Sequence, residues 1–158
     1  MTMDKKKLPL RIGVGIIVLN NFNQVFVGKR KDNPGNKWQM PQGGVNKNEN
    51  FISAMRRELN EETSIKNIEI IKEIENIYQY KLPENLIGII WKGKYSGQKQ
   101  KWFITKFKGN DSEINLKTKY PEFIEWKWID PEELPNVIVN FKKELYEKLL
   151  KEIKLVIN

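Results

Sequence analysis

Residues Trp38 to Ile65 read WQMPQGGVNKNENFISAMRRELNEETSI, and both the fold and the chemistry of the chain turn on this stretch. The pair Gly43-Gly44 marks a turn, because glycine lets the backbone bend tightly and approach another group with no side chain in the way. From Phe51 onward the apolar residues keep a helical spacing. At about 100° per residue, Phe51, Ile52, Met55 and Leu59 share a stripe of the kind that faces a core. Ser53, Arg56 and Asn60 fall on the opposite, solvated side. Glu58 and Glu62 project almost over Phe51, with Glu61 just beyond, so the spacing predicts three carboxylates at the edge of the buried face.

Acids crowded beside an apolar stripe repel one another and lose hydration, so ionising them together is unfavourable without a cation. Ligands made only of oxygen favour a hard ion such as Mg²⁺ or Mn²⁺, which keeps several waters and binds substrate phosphate. A lone ExxEE cluster after a Gly-Gly turn reads more simply as a solvated helix face. The full spacing is more demanding: Gly43, five residues, Glu49, seven residues, Arg57-Glu58-Leu59, one residue, Glu61-Glu62, one residue, Ser64-Ile65.

This pattern resembles the Nudix box, GX5EX7REUXEEXGU with U apolar, and departs from it only where Ser64 replaces the last glycine. Glycine there normally makes a left-handed helix cap, so a modest local cost with intact chemistry is expected. The resemblance implies hydrolysis of nucleoside diphosphates linked to another group, with divalent metal held by the box glutamates.

The 158 residues suit a single domain over 1–158 with room for a sizeable core. With 39% hydrophobic residues and five tryptophans the composition is globular. The chain has neither cysteine nor histidine, which excludes thiol or imidazole catalysis, disulfides and the usual zinc sites. Any hydrolysis must use carboxylates, lysines, hydroxyls or metal. The net charge of +8 suits a polyanionic partner if the bases cluster in space; a lysine-rich soluble surface is the alternative. No run of about 18 apolar residues suggests a membrane span. The basic start MTMDKKK precedes a strand rather than a signal-peptide core. A cytoplasmic protein, with no membrane and no obligate protein partner, is expected.

Leu10 to Leu19 and Gln24 to Gly28 flank the turn Asn20-Asn21-Phe22-Asn23 as a hairpin. Lys29, Arg30 and Lys31 follow, and Asn33-Pro34-Gly35-Asn36 marks a loop. Ile68 to Tyr80 reads as one strand ended by Lys81-Leu82-Pro83; Leu86 to Trp91 and Trp102 to Phe107 are further strands, joined by an exposed polar connection over Lys92 to Lys101. Ile124 to Ile129 is a strand with Trp126 and Trp128 on one face. Asp130 caps a helical turn that opens with Pro131, and a last helix runs from about Asn140 to Ile157. Pattern alone gives an α/β (α+β) fold with a mixed sheet, a central helix and a C-terminal helix; the Nudix resemblance implies an α/β/α sandwich with the box as loop, helix and loop.

Beyond the box, WQMPQGG, YKLP at Tyr80 to Pro83, GQKQKWF at Gly97 to Phe103, PEF at Pro121 to Phe123 and the late VNFKKELY look like the bacterial RNA pyrophosphohydrolase branch, also described as dinucleoside polyphosphate hydrolases or invasion-associated proteins. That resemblance implies removal of pyrophosphate from 5′-triphosphorylated RNA, a step in mRNA decay, or cleavage of a dinucleoside polyphosphate such as diadenosine tetraphosphate, with metal-activated water as nucleophile. It places Glu58, Glu61, Glu62 and the Gly43 carbonyl on metal, with Glu58 also a candidate base. Glu122 is a further acidic ligand or base, and Arg57 orients a box carboxylate. Arg11 and Arg30 match arginines that contact substrate in this branch, Lys101 lies within its GQKQKWF signature, Phe141 matches its base-stacking phenylalanine, and Lys142 is placed to meet a neighbouring phosphate. Tyr80 and Gln42 are weaker binding candidates. Helical spacing offers a rival for Phe141, as a core residue in register with Leu145, Leu149 and Ile153. Two other functions remain open at this point: a nucleotide-cleansing hydrolase with a different pocket, and a non-catalytic nucleic-acid-binding module.

Overall fold

The computed structural model describes residues 8–32 and 35–157; the basic start and Asn33-Pro34 of the expected loop lie outside them. Strand β1 (Leu10–Leu19) is the spine of the sheet. It runs parallel to β6 (Gly97–Phe107) from Leu10↔Gly97 to Leu19↔Lys106. Its other edge is shared. The hairpin partner β2 (Val25–Arg30) pairs with it at Leu19↔Val25, while the short β3 (Gln42–Gly44) takes Gly13 to Gly15. The sheet continues outward from β6 to β4 (Ile68–Glu73) and β5 (Tyr78–Lys81), and from β2 to β7 (Phe123–Ile129).

Successive strand residues point to opposite faces, and β1 is buried on both, which is why it reads as an almost unbroken apolar run. Val14, Ile16 and Val18 pack with Phe26, Phe103 and the helix α1 (Phe51–Thr63) through Ala54, Met55 and Leu59. Ile17, Leu19, Trp102 and Ile104 face the other way, against Leu145, Tyr146, Leu149 and Ile153 of the last helix (Lys143–Ile157). The result is the expected α/β/α sandwich around a mixed sheet. Between β7 and that helix, Asp130 caps the 3₁₀ turn Pro131–Glu133 with a reciprocal box to Glu133, leading into a short helix, α2 (Leu134–Val137). The last helix is therefore α3.

Helix α1 starts at Asn50, whose side chain accepts from the Ser53 amide, and ends at Ser64 in the left-handed conformation, φ 67°. The cap geometry expected of glycine is thus kept by serine. Its hydroxyl donates to the Asn115 carbonyl at 2.8 Å, which offsets part of the conformational cost.

Several expectations need correction. Ile68 to Tyr80 is two strands, because a register shift between Ile70 and Lys72 and the following residues 74–77 break the ladder. Leu86 to Trp91 is not a strand; it turns and enters a 3₁₀ segment, Ile90–Gly93, with Gly88, Trp91, Lys92 and Gly93 all at positive φ. The supposedly exposed connection over Lys92 to Lys101 contains the first half of β6, where Ser96, Gln98 and Gln100 are buried. Phe51 and Ile52 are exposed, at 36% and 42%, and the buried stripe of α1 runs through Ala54, Met55, Leu59, Glu62 and Thr63. The last helix begins at Lys143, after a 3₁₀ turn Asn140–Lys142. Phe141 therefore lies in that turn rather than in the helix, partly buried against the same core as Leu145, Tyr146, Leu149 and Ile153.

Tyr146 also fixes the segment leading into β3: its hydroxyl accepts from the Met40 amide at 2.8 Å, with both residues fully buried. Tyr146→Phe leaves that amide without a partner, so equilibrium denaturation should show a loss of about 1–3 kcal/mol, with the fold otherwise retained.

Candidate active site

The site begins where β3 meets α1. A Cβ on Gly43 would lie 2.0 Å from the Glu58 carboxyl carbon, so any larger residue at this position would displace that carboxylate. Arg57 locks the approach. Its Nε and Nη2 donate to the two oxygens of Glu49 at 2.8 and 2.9 Å, Nη1 to Glu58 Oε1 at 2.8 Å and to Glu61 at 3.3 Å, and Nη2 also to the Gly44 carbonyl at 2.7 Å. Glu49 in turn accepts from the Asn46 amide at 3.0 Å. With Arg57 as the larger cause and that amide as the next, the Glu49 carboxyl is held down to about 2. One side chain therefore fastens the Gly-Gly turn, the loop after it and the helix together. This accounts physically for the spacing between Gly43, Glu49 and Arg57.

The remaining acids face a cleft of about 410 Å³ lined by Glu58, Glu61, Glu62 and Glu122 together with Thr118, Lys119 and Tyr120. The carboxylates do not share one environment. Glu61 is solvated, its side chain 57% exposed, whereas Glu62 is buried rather than at the edge of the apolar face. Burial pushes the Glu62 carboxyl well above the usual range, and the charges of Glu58 and Glu122 add to the effect; Arg30 and the Gln42 backbone oppose it. Glu58 is also raised, by burial first, against the pull of Arg57. Among the described residues, no three acids converge closely enough to hold an ion as the side chains stand. The donor set is nonetheless all oxygen, and a buried carboxylate facing like charges fits a hard divalent cation.

A second cleft, of about 430 Å³, brings together Arg30, Gln42, Tyr80, Phe141 and Lys142, with Leu82, Leu86, Ile90 and Trp91 as its apolar wall. Phe141 is partly buried and stands 5.9 Å from the Tyr80 ring, tilted at 48°. Lys142 is buried with its ammonium 5.0 Å from the Tyr80 ring centroid and 5.8 Å from that of Phe141. Burial, helped by Arg30, lowers the Lys142 pKa to about 7. Arg30 connects the two clefts: it forms a bidentate pair with Asp32 at 2.8 Å and comes within 3.6 Å of Glu122.

The other two sequence candidates sit apart from this cleft. Lys101 shares the α1 face of β6 with Phe103 and pairs with Glu73 at 3.5 Å. Arg11 lies beside Gly44, its guanidinium 5.2 Å from the Trp91 ring centroid.

Beneath the second cleft runs a buried polar chain that the sequence reading missed. Gln100 Nε2 donates to Gln42 Oε1 at 2.9 Å and to Gln98 Oε1 at 2.8 Å; Tyr80 donates to Gln98 and Trp102 to Gln100, each at 3.0 Å. Gln42 and Tyr80 are thereby fixed from below. The available signal was the two-residue spacing of Ser96, Gln98, Gln100 and Trp102, which continues the inward face of the apolar strand after it.

Comparison with known proteins gives the chain as a whole its relatives. The NUDIX domain profile matches residues 9–149. An RNA pyrophosphohydrolase of Pelagibacter ubique is 58% identical over 158 residues, covering 100% of both chains. Among solved structures, the E. coli dihydroneopterin triphosphate pyrophosphohydrolase superposes with a TM-score of 0.66 at 17% identity, covering 92% of this chain and 99% of that one. A C. elegans Ap4A hydrolase does so with 0.63 at 17% identity, covering 90% and 98%. At such identities the two structures are similar in fold.

Two outcomes test the site's construction. Arg57→Lys keeps the charge and loses the planar fork, so turnover should fall about 10- to 100-fold in steady-state assays, and the thermal midpoint should fall as well because turn, loop and helix lose their shared tie. Lys142 is depressed relative to an ordinary lysine, so the unfolded state binds more protons between about pH 7 and pH 10. Folding stability should accordingly rise with pH across that window, and Lys142→Met should flatten the rise in urea denaturation curves.

Proposed function

The chain belongs to the NUDIX family, and from that premise we propose that it is a metal-dependent RNA pyrophosphohydrolase removing pyrophosphate from 5′-triphosphorylated RNA. The observation that carries this reading is the adjacency of a carboxylate cleft and an aromatic, cationic cleft, joined by Arg30. A polyphosphate chain attached to a nucleobase needs both. The Pelagibacter relative bearing that activity in its name spans the same full length, and residues 1–158 are read as one Nudix domain. No helix among the described residues is long and apolar enough to cross a membrane; a cytoplasmic location goes with an RNA substrate.

NUDIX hydrolases generally need a divalent metal, and Glu58, Glu61, Glu62, Glu122 and the Gly43 carbonyl would hold it here, with Mg²⁺ the proposed ion and Mn²⁺ a substitute. When bound, it supplies neutralisation of phosphate charge and lowers the pKa of water. Arg57 holds Glu58 Oε1, leaving Oε2, the oxygen nearer Gly43, to take the proton of the attacking water. Burial raises this carboxyl, in the direction that makes a carboxylate a better base near neutral pH. Arg30, Arg11, Lys101 and Lys142 provide positive charge for the phosphates. Phe141 offers its face to a base with little sequence preference, Tyr80 and Gln42 border it, and the buried glutamines keep that border rigid.

A dinucleoside polyphosphate presents the same base beside the same phosphates and is the second reading. Comparing kcat/KM for pyrophosphate release from 5′-triphosphorylated RNA with that for diadenosine tetraphosphate, with and without Mg²⁺, separates the two. The proposal predicts metal-dependent turnover that favours RNA; a preference for the dinucleotide would reassign the principal substrate, and no metal-dependent activity on either would overturn both. Glu61→Gln should lose most turnover at low metal concentration while circular dichroism stays unchanged.

A further inference from the structure

The segment expected to be a strand runs into the one place among the described residues where two consecutive non-glycine residues take positive φ, and it lies against the proposed site. Trp91 and Lys92 are consecutive non-glycine residues in the left-handed region, at φ 52° and 57°, followed by Gly93 at 71°. Left-handed geometry is rare for a bulky residue, and strain of this kind persists only where the surrounding structure over-determines it. Here the distortion turns the Trp91 indole back onto the sheet. One side of the ring lines the second cleft, and the Arg11 guanidinium sits over it, 5.2 Å from the centroid. Tyr95 braces the indole edge-on at 6.2 Å and 75°.

Arg11 rests on this ring. It makes no ion pair among the described residues, while its Nη2 would lie 2.4 Å from a Cβ on Gly44, so the second glycine of the turn is what admits the guanidinium. Arg11 also borders a shallow cleft with Gly44 and Glu58. The cation thus lies near Glu58, whose carboxyl its charge pulls down, but its direct contact is with an aromatic face rather than with an acid. A carboxylate partner would compete with phosphate for the guanidinium. An indole does not, because it attracts the cation through its ring face and leaves the N–H fork free to donate to an incoming anion.

We infer that Trp91 is a positioning residue that holds Arg11, free of a direct ion pair, for the polyphosphate of the substrate. This rests on the reading of the site as a polyphosphate-binding centre, and is tested separately from turnover. The probe is inorganic tripolyphosphate, titrated calorimetrically into the intact protein in Ca²⁺; Arg11→Ala, Trp91→Leu and the double variant are compared with the unaltered chain. A cation–π contact of ordinary strength predicts that each single change weakens binding about 3- to 30-fold. The double variant should bind no worse than Arg11→Ala alone, since neighbours that act through one another are not additive. Trp91→Phe keeps a smaller aromatic face and should fall between; it also serves if the leucine variant fails to fold. Tripolyphosphate affinity unchanged in both Trp91 variants, losses that multiply in the double variant, or an unaltered chain that does not bind tripolyphosphate would each overturn the inference. Coupled loss of tripolyphosphate binding in a chain that does not turn over RNA would leave the inference standing and overturn the RNA reading.

Discussion

The guanidinium of Arg57 is the interaction on which the candidate site depends. It bonds two oxygens of Glu49, one of Glu58, one of Glu61 and the carbonyl of Gly44, so a single planar fork ties together a turn, a loop and a helix that meet at Gly43, where a Cβ would displace the Glu58 carboxylate. One cation cannot neutralise all the acids nearby. Its bonds go to Glu49, Glu58 and Glu61, and Glu62 is left buried with Glu58 and Glu122 as like-charged neighbours. The scaffold satisfies the carboxylates that shape the turn and leaves one under electrostatic tension. That tension has a chemical remedy in a divalent ion.

Arg30, Lys142 and Arg11 bring positive charge near the carboxylates. Although the chain carries a net charge of +8, the cations beside the site are few, and two of them rest on aromatic rings. Lys142 rests on two aromatic rings, and Arg11 on a third. Arg30 is paired to Asp32 but leans toward Glu122 across the boundary between the clefts. Aromatic support leaves a cation able to meet an anion, which is the arrangement a polyphosphate with an attached base calls for.

What was legible in the sequence was local. The Gly43, Glu49, Arg57 spacing carries its own geometry, because each interval is fixed by one turn, one loop and the pitch of one helix, and Ser64 keeps the left-handed cap where glycine was expected. What was hidden depended on partners distant along the chain. Gln98 and Gln100 look like solvent-facing residues until Gln42, Tyr80 and Trp102 close around them. Leu86 to Trp91 is apolar enough for a strand, yet positive φ at Gly88 and Trp91 denies it a ladder. Phe51 and Ile52 fit the helical stripe but lie in the exposed first turn of α1, while Glu62 takes a buried place that its charge gave no reason to expect.

The most direct test of the central claim is the thermal midpoint at pH 8 as a function of Mg²⁺, for the unaltered chain and for Glu62→Gln. A glutamate whose folded pKa is raised costs stability as pH climbs from the ordinary carboxylate range through the raised value. Without metal at pH 8, Glu62→Gln should therefore be the more stable protein. Adding Mg²⁺ should raise the midpoint of the unaltered chain, as binding to the folded state alone requires, and leave the variant nearly unmoved. An equal rise in both proteins, or a variant less stable than the unaltered chain in the absence of metal, would contradict a buried carboxylate held in tension for a cation.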